Sequence, residues 1–425
     1  MNPIKAQLLT LRSLFAAMAS IQLVTAASGT IVALYFAETG ASQAEAALAP
    51  AFYSLGFLAG CFYVSKWISE IGHIRALAAS AAICIASALL FSAIESVPAL
   101  LAIRFATGVA TAAIFAIGDA WISDTVSSSS RGRMLAIYAV VLGFMSVGSQ
   151  ILVIVTPGDL NQAFVLVSLC YCLAIVVIAA TRTNPPQIRA SATVRLTETF
   201  GYSPTAVVGV FSVGIVSAIL LSVAPFRAAK LGIEATEIAY LIGALYLGRI
   251  LFQYPLGWLS DQVDRRLVIL AVSAVTAVLL LIVATLSTGD GTFYSRLSES
   301  SAYFVAIGGF ILLGGSLLTM YSLLVAQAID RTPSDYAASS SVTLLFAFTL
   351  GGIAGPIIAS LSSLVFGNTA MGWLNFAAMF GFCLTSAWAY RFLPAVTGEE
   401  QTQFALVEPT SVENATVEKQ AEESS

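Results

Sequence analysis

Three ionisable side chains lie within long apolar runs of this 425-residue sequence: Arg104, Asp119 and Arg249. A charge placed in hydrocarbon costs at least ~2.5 kcal/mol on the mildest scale, so each calls for a wet cavity, a counter-charge or a bound solute. Tyr246, Arg249 and Gln253 recur at i, i+3 and i+7, share one helical face, and read as the lining of a cavity, or Arg249 as a cap on backbone carbonyls within the bundle. Counted back from Asp261 as a water boundary, Arg249 falls close to the bilayer midplane at a rise of ~1.5 Å per residue. Arg104 reads either as an electrostatic partner for solute or proton coupling, or as a clamp between helices. Asp119 lies about 22 Å further along the same run, so the two cannot pair on one helix. Beside the interfacial anchor Trp121, Asp119 reads as a gate anchor, a proton-carrying coupling group or a wet interfacial acid. Gln22 and Thr25 add a polar stripe to the first apolar run, and Ser316, Thr319 and Tyr321 add another to the tenth. Two central arginines with no acid at equal depth predict a positive cavity suited to an anionic or carboxylate-bearing small solute.

A second group occupies the connections. Asp261, Asp264, Arg265 and Arg266 fall within ten residues starting at Gly257, and Arg75, Arg131, Arg133 and Asp330 lie in other loops on the same side. Aspartate can accept from helix N-terminal amides and arginine can grip a carboxylate with two parallel bonds. A cluster of this kind that forms and breaks would act as a gate. Arg131 and Arg133 also serve as topology determinants. Asp261 and Asp264 have no facing acidic cluster, so a magnesium–diphosphate site is not implied. Cys61, Cys84, Cys170, Cys172 and Cys383 all sit in apolar runs, and Cys170 and Cys172 point to different helix faces. His73 is the single histidine. Neither a metal set nor a phosphate-cradling glycine loop is present, so no cofactor and no enzymatic chemistry are expected.

The elements that position these groups follow from composition. Apolar types make up 58% of the chain and Asp, Glu, Lys and Arg only 10%, against about 25% charge in soluble domains. Mean hydropathy is +0.89. A secreted enzyme, a nucleic-acid binder and a disordered regulator are poor readings of such a chain. Runs long enough to span ~30 Å of hydrocarbon lie near 13–36, 46–67, 74–94, 97–121, 133–156, 162–181, 204–226, 238–260, 267–287, 302–328, 338–362 and 370–393. Backbone groups in lipid must pair within their own segment, so these are helices. The alternating pattern of an outer-membrane barrel is absent. The first run has a signal-peptide look, with Thr25-Ala26-Ala27-Ser28 as a cleavage site, but it continues through Tyr35 and is read as a span.

Lysine and arginine concentrate in the loops on the side of the termini, whereas Arg227, Lys230 and Arg296 lie in the loops opposite. Both termini are therefore expected in the cytoplasm. The basic, proline-containing stretch 182–203 separates a six-helix bundle, 1–181, from a second one, 204–393. Residues 394–425 carry seven glutamates against one lysine and are expected to form a disordered acidic tail. That tail accounts for the net charge of −4, and the embedded body is slightly basic.

The halves echo each other. The loop at Gly257–Arg266 has a counterpart at Ser65–Arg75, and Gly148-Ser149 in span 5 answers Gly355-Pro356 in span 11. Small residues such as Gly108, Gly148, Gly355 and the helix-interrupting Pro356 are expected to let helices touch or bend. Gly257-x-x-x-Asp261-x-x-Asp264-Arg265-Arg266, Arg104-x-x-x-Gly108 and Gly351-Gly352-x-x-Gly355-Pro356 resemble motifs of the major facilitator superfamily over about residues 8–393. Gly72-His73-Ile74-Arg75, Asp119-Ala120-Trp121, Ser130-Arg131-Gly132-Arg133, Gln253-Tyr254-Pro255-x-Gly257 and Asp330-Arg331 resemble its YcaD-like subgroup. The first-half loop departs from the pattern, with Ser69-Glu70 in place of Asp-Arg, and span 5 has Gly-Ser in place of Gly-Pro.

The resemblance implies an all-α membrane protein of twelve transmembrane helices in two six-helix halves, with spans 3, 6, 9 and 12 facing lipid. It implies a secondary transporter of a small organic solute working by alternating access in the bacterial inner membrane. Proton-coupled export is the favoured mode, and a monomer is expected, with no nucleic-acid partner. A solute sensor or assembly factor that keeps the fold without transporting is the alternative.

Overall fold

The computed structural model describes residues 3–126, 128–179, 193–286, 300–367 and 369–394, together with Thr402, Phe404, Val407 and Pro409. Among these residues there is no β-strand, and twelve helices are long and apolar enough to cross a membrane. Spans 1 to 6 are Leu11–Glu38, Gln43–Val64, His73–Phe91, Val97–Thr125, Arg133–Ile154 and Leu160–Ala179. Spans 7 to 12 are Pro204–Lys230, Ala235–Gln262, Arg265–Leu286, Tyr303–Arg331, Ala337–Phe366 and Ala370–Phe392. They match the expected runs because length and hydropathy alone dictate them. Local chemistry sets the ends. Ser42 opens span 2 with a reciprocal cap, its Oγ accepting from the Glu45 amide while Glu45 Oε2 accepts from the Ser42 amide at 2.8 Å. Gly72 turns the chain between spans 2 and 3 at φ +83°, which a side chain would resist.

Within each half, glycines bring equivalent helices into backbone contact. A Cβ on Gly108 would lie 2.1 Å from the Tyr53 carbonyl oxygen, and one on Gly56 2.0 Å from that of Phe105, so spans 2 and 4 touch directly. Spans 8 and 10 repeat the arrangement, with Gly248 against Ile311 at 1.9 Å and Gly314 against Leu245 at 2.0 Å. In lipid, close packing of this kind takes over the role that hydrophobic burial plays in water. A Cβ on Gly355 would lie 2.7 Å from the Ile215 carbonyl oxygen of span 7, and Pro356 follows inside span 11. Gly148 makes no close contact, since a Cβ there would meet nothing within 4 Å, but the helix of span 5 is interrupted by a turn just after it. Its helix segment ends at this residue, so the position needs no close approach.

The halves meet at the end of the bundle away from the termini, and the Phe62 and Phe346 rings of spans 2 and 11 meet nearer the terminal end. A Cβ on Gly29 of span 1 would lie 2.9 Å from the Leu221 carbonyl oxygen of span 7, and Ala47 of span 2 packs with Ile219, Val223 and Ala359. Span 7 carries a π-helical turn there, Ile219–Val223, just before Pro225. Proline has no N–H to donate and shifts the ladder of the preceding turn; π-turns often sit at functional positions.

Of the central loop, Leu196–Tyr202 is a short helix on span 11, where the Arg195 amide donates to Thr343 Oγ1 at 2.9 Å. Arg182 and Arg189 lie outside the described residues. The expectation of disorder beyond residue 394 does not describe Thr402, Phe404, Val407 and Pro409, which contact the bundle. Phe404, Leu406 and Val407 interrupt the acidic run with apolar side chains, a feature that net charge conceals.

Candidate solute cavity and terminal-end gate

A cavity of about 260 Å³ lies between the halves, lined by residues of spans 1, 2, 4, 7, 8, 10 and 11. Four expected residues, Gln22, Arg104, Tyr246 and Arg249, line it. Among its described lining residues, Arg104 and Arg249 are the charged ones, 5% and 7% exposed. Arg104 is held by both neighbouring helices: its Nη1 donates to Ser28 Oγ at 2.8 Å, and its guanidinium carbon stands 4.6 Å from the Tyr53 ring centroid. That stacking uses the negative face of the ring and leaves other guanidinium hydrogens for a ligand. The electrostatic and clamping readings of Arg104 are thus geometrically compatible. A second, smaller cavity with Cys84, Thr107 and Tyr171 borders Arg104 on its other side.

Gln22 Nε2 donates to Ser146 Oγ at 2.8 Å, orienting the amide from span 5. Tyr246 OH reaches the Ala26 carbonyl at 3.5 Å, a long bond that crosses from the second half to the first. Sequence reasoning missed Tyr53, Ser54, Ser217, Ser222 and Thr349 in this lining. Pro50 in span 2 and the serines of an otherwise apolar span 7 were the available signals.

Two of the candidate substrate or coupling residues stand off this lining. Gln253 is buried but does not line the cavity, because seven residues of helix carry it about 10 Å from Tyr246 toward the terminal end. Sharing a face does not mean sharing a depth. Asp119 is 1% exposed and also lies off the lining, so it is a buried acid rather than a wet interfacial one. Neighbouring Gly118 packs against Met18 of span 1, which seals this stretch of span 4.

At the terminal end, five of the expected gate residues come together, three in one cluster and two in another. Arg265 Nη1 donates to Asp330 Oδ2 at 2.5 Å, and its Nη2 donates to Asp261 Oδ1 at 2.8 Å. This joins spans 8, 9 and 10 through one guanidinium whose side chain is 2% exposed. Arg266 grips Asp264 through Nε at 3.0 Å and Nη2 at 2.5 Å, and caps the Leu393 carbonyl through Nη1. The Arg266 guanidinium holds the Asp264 carboxyl below its ordinary value, with partial burial acting in the opposite direction. Arg75 and Arg133 are exposed and stand apart from both clusters. Arg131 lies on the Ser128–Gly148 helix, and its side chain is outside the description. In the first half, Ser69 and Glu70 stand in the loop position that Asp261 occupies in the second.

The Major Facilitator Superfamily matches residues 14–204 and 206–418 of this chain. A protein of Salmonella newport named Uncharacterized MFS-type transporter YcaD is 23% identical over 343 residues, covering 80% of this chain and 85% of its own; the Salmonella typhi protein of that name matches equally. A bacterial homologue of the human lysosomal transporter Spinster, solved inward-facing and occupied, superposes with a TM-score of 0.70 at 15% identity, covering 95% of this chain and 99% of its own. A D-xylose–proton symporter gives 0.65 at 15% identity over 92% and 98%. Twelve spans in two glycine-packed halves around one cavity, and a family match along nearly the whole chain, lead to one conclusion: the chain belongs to the Major Facilitator Superfamily.

Proposed function

We propose that this superfamily transporter carries a small organic anion, a carboxylate-bearing solute being the favoured class, by alternating access. The observation that supports the reading is the cavity between the halves, whose charged described lining residues are Arg104 and Arg249. Both are more than nine-tenths buried, and a guanidinium binds a carboxylate through two parallel charge-assisted bonds. A cation in the same place meets like charge at low dielectric.

The contacts between Gly29 and Leu221 and between Ala47 and Ile219 close the end away from the termini. In this reading the cavity opens toward the terminal end, the side from which Pro409 joins its lining. Arginines in the terminal-end loops, among them Arg75, Arg133, Arg265 and Arg266, favour a cytoplasmic assignment for that end in the bacterial inner membrane. Export driven by a proton gradient is the favoured mode. A solved relative in fold is a proton symporter, and Asp119 is a buried acid on the same span as Arg104. In this scheme Asp119 carries or gates the proton, and the Asp261–Arg265–Asp330 cluster breaks and re-forms as the halves exchange. One chain contains both halves and the complete cavity, so a monomer suffices.

The test is flux into proteoliposomes with an imposed pH gradient, using a panel of small carboxylates beside neutral and cationic isosteres. Carboxylate flux that collapses with the pH gradient and in Arg249→Gln is the expected result. Preferential cation flux, unchanged in Arg249→Gln, would overturn the anion assignment. Binding without flux for any solute would point instead to a sensor.

A further inference from the structure

We infer that Thr402, Phe404, Val407 and Pro409 act as an intramolecular plug, seated in the terminal-end mouth of the solute cavity and holding that mouth shut to solutes. The path of the segment is fixed at four described residues. Thr402 sits on the gate: its amide and hydroxyl both donate to Asp330 Oδ1, at 2.9 and 2.6 Å, while its carbonyl accepts from Arg265 Nη2 at 2.9 Å. The Phe404 amide donates to Asp261 Oδ1 at 3.0 Å, and its ring fills the notch left by Gly257, where a Cβ would come within 2.3 Å of the ring. The Val407 carbonyl accepts from Ser322 Oγ at 2.9 Å, and its side chain is 5% exposed. Pro409 lines the central cavity together with Arg104 and Arg249.

Asp330, Ser322 and Leu318 mark the same climb along span 10, from its terminal end to the level of the cavity. Twelve helical residues rise about 18 Å, so the described contacts span that depth. Gly257 has the residue type such a plug requires, since any side chain there would collide with Phe404. Backbone groups provide most of the polar contacts, as in other modes of extended-peptide recognition, and Phe404 and Val407 provide the apolar anchors.

Two consequences follow. A solute arriving from the terminal end must displace Val407 and Pro409 to reach the arginines. Alternating access also requires helices of both halves to converge at this end, and Phe404 on span 8 and Val407 beside span 10 occupy part of that space. The segment therefore holds the chain in the state closed at the opposite end. Asp261, Arg265 and Asp330, which the gate uses, are also the plug's latch.

The test needs no solute, so it stands apart from the proposed anion transport. Ser217, a cavity-lining residue, is changed to Cys in an otherwise cysteine-free full-length chain, and its labelling by a charged maleimide is timed in detergent. Truncation after Gly398 keeps Leu393 and Pro394, whose carbonyls cap Arg266 and Arg331. Phe404→Asp in the full-length chain tests the plug where truncation lowers folding yield. Both changes are expected to speed labelling about tenfold or more, as loss of a closed local state does. Equal labelling in the parent and in folded Phe404→Asp would overturn the inference.

Discussion

Asp330→Ala removes the carboxylate that takes Arg265 Nη1 at 2.5 Å, and the Arg265 and Asp330 side chains are only 2% and 3% exposed. Removing one partner of a buried pair costs about 3–5 kcal/mol, most of it from the charge left behind. Arg265 keeps Asp261 at 2.8 Å and the Thr402 carbonyl at 2.9 Å, which offset part of that loss. A destabilisation of about 3 kcal/mol is therefore expected. The neighbouring Asp264–Arg266 pair is an internal comparison: Asp264 is 30% exposed, and Asp264→Ala should cost about 1 kcal/mol or less. Reversible unfolding in mixed micelles with increasing denaturing detergent measures both. A double-mutant cycle with Arg265→Met separates the pair from its surroundings, because removing both partners leaves no orphaned guanidinium; a coupling of about 2 kcal/mol is expected. Equal losses for Asp330→Ala and Asp264→Ala, or zero coupling to Arg265, would refute the assignment of Asp330 as the buried anchor of the cluster.

Glycine chemistry gives a second contrast. Gly108→Ala places a Cβ 2.1 Å from the Tyr53 carbonyl oxygen, forcing spans 2 and 4 apart at a cost of about 2–3 kcal/mol. Gly148→Ala meets open space and should change stability by less than about 1 kcal/mol; thermal unfolding of the two variants decides. A third prediction concerns acid. The Asp264 carboxyl is held below its ordinary 3.8 by Arg266, so its contribution is fully present above the unfolded-chain value and fades as pH falls through the lower folded one. The stability difference between wild type and Asp264→Asn should stay flat from about pH 8 to 5 and shrink below about pH 4. A difference that grows on acidification would reverse the sign of the assigned interaction.

The spans were legible because a bilayer asks only for length and apolarity, and Leu11–Glu38 or Tyr303–Arg331 satisfy it without tertiary help. The gate cluster was legible in part. Asp261, Asp264, Arg265 and Arg266 announce themselves by spacing, but their division into one deep triad with Asp330 and one shallow pair depends on how spans 8, 9 and 10 stack. In the cavity, helical periodicity placed Tyr246 and Arg249 on the correct face, yet it has no depth coordinate, and Gln253 fell below the floor. Tyr53 was hidden because a lone tyrosine in an apolar run looks like packing until Arg104 is stacked on it. Gly148 shows the converse: a small residue at a motif-like position carries packing information only when another helix is opposite. The plug was obscured by averaging, since Glu399, Glu400 and Glu408 dominate any window that contains Phe404 and Val407.

In the proposed function the buried guanidiniums of Arg104 and Arg249 select an anion. Isothermal calorimetry on the purified chain with matched pairs of small solutes, carboxylate against amide of the same shape, tests it without requiring flux. The account predicts binding of a carboxylate, at least about tenfold weaker binding of its amide, and loss of that preference in Arg249→Gln, since a charge-assisted pair contributes roughly 1.5–3 kcal/mol. Equal affinity for the two members of each pair, or a preference that survives Arg249→Gln, would contradict it.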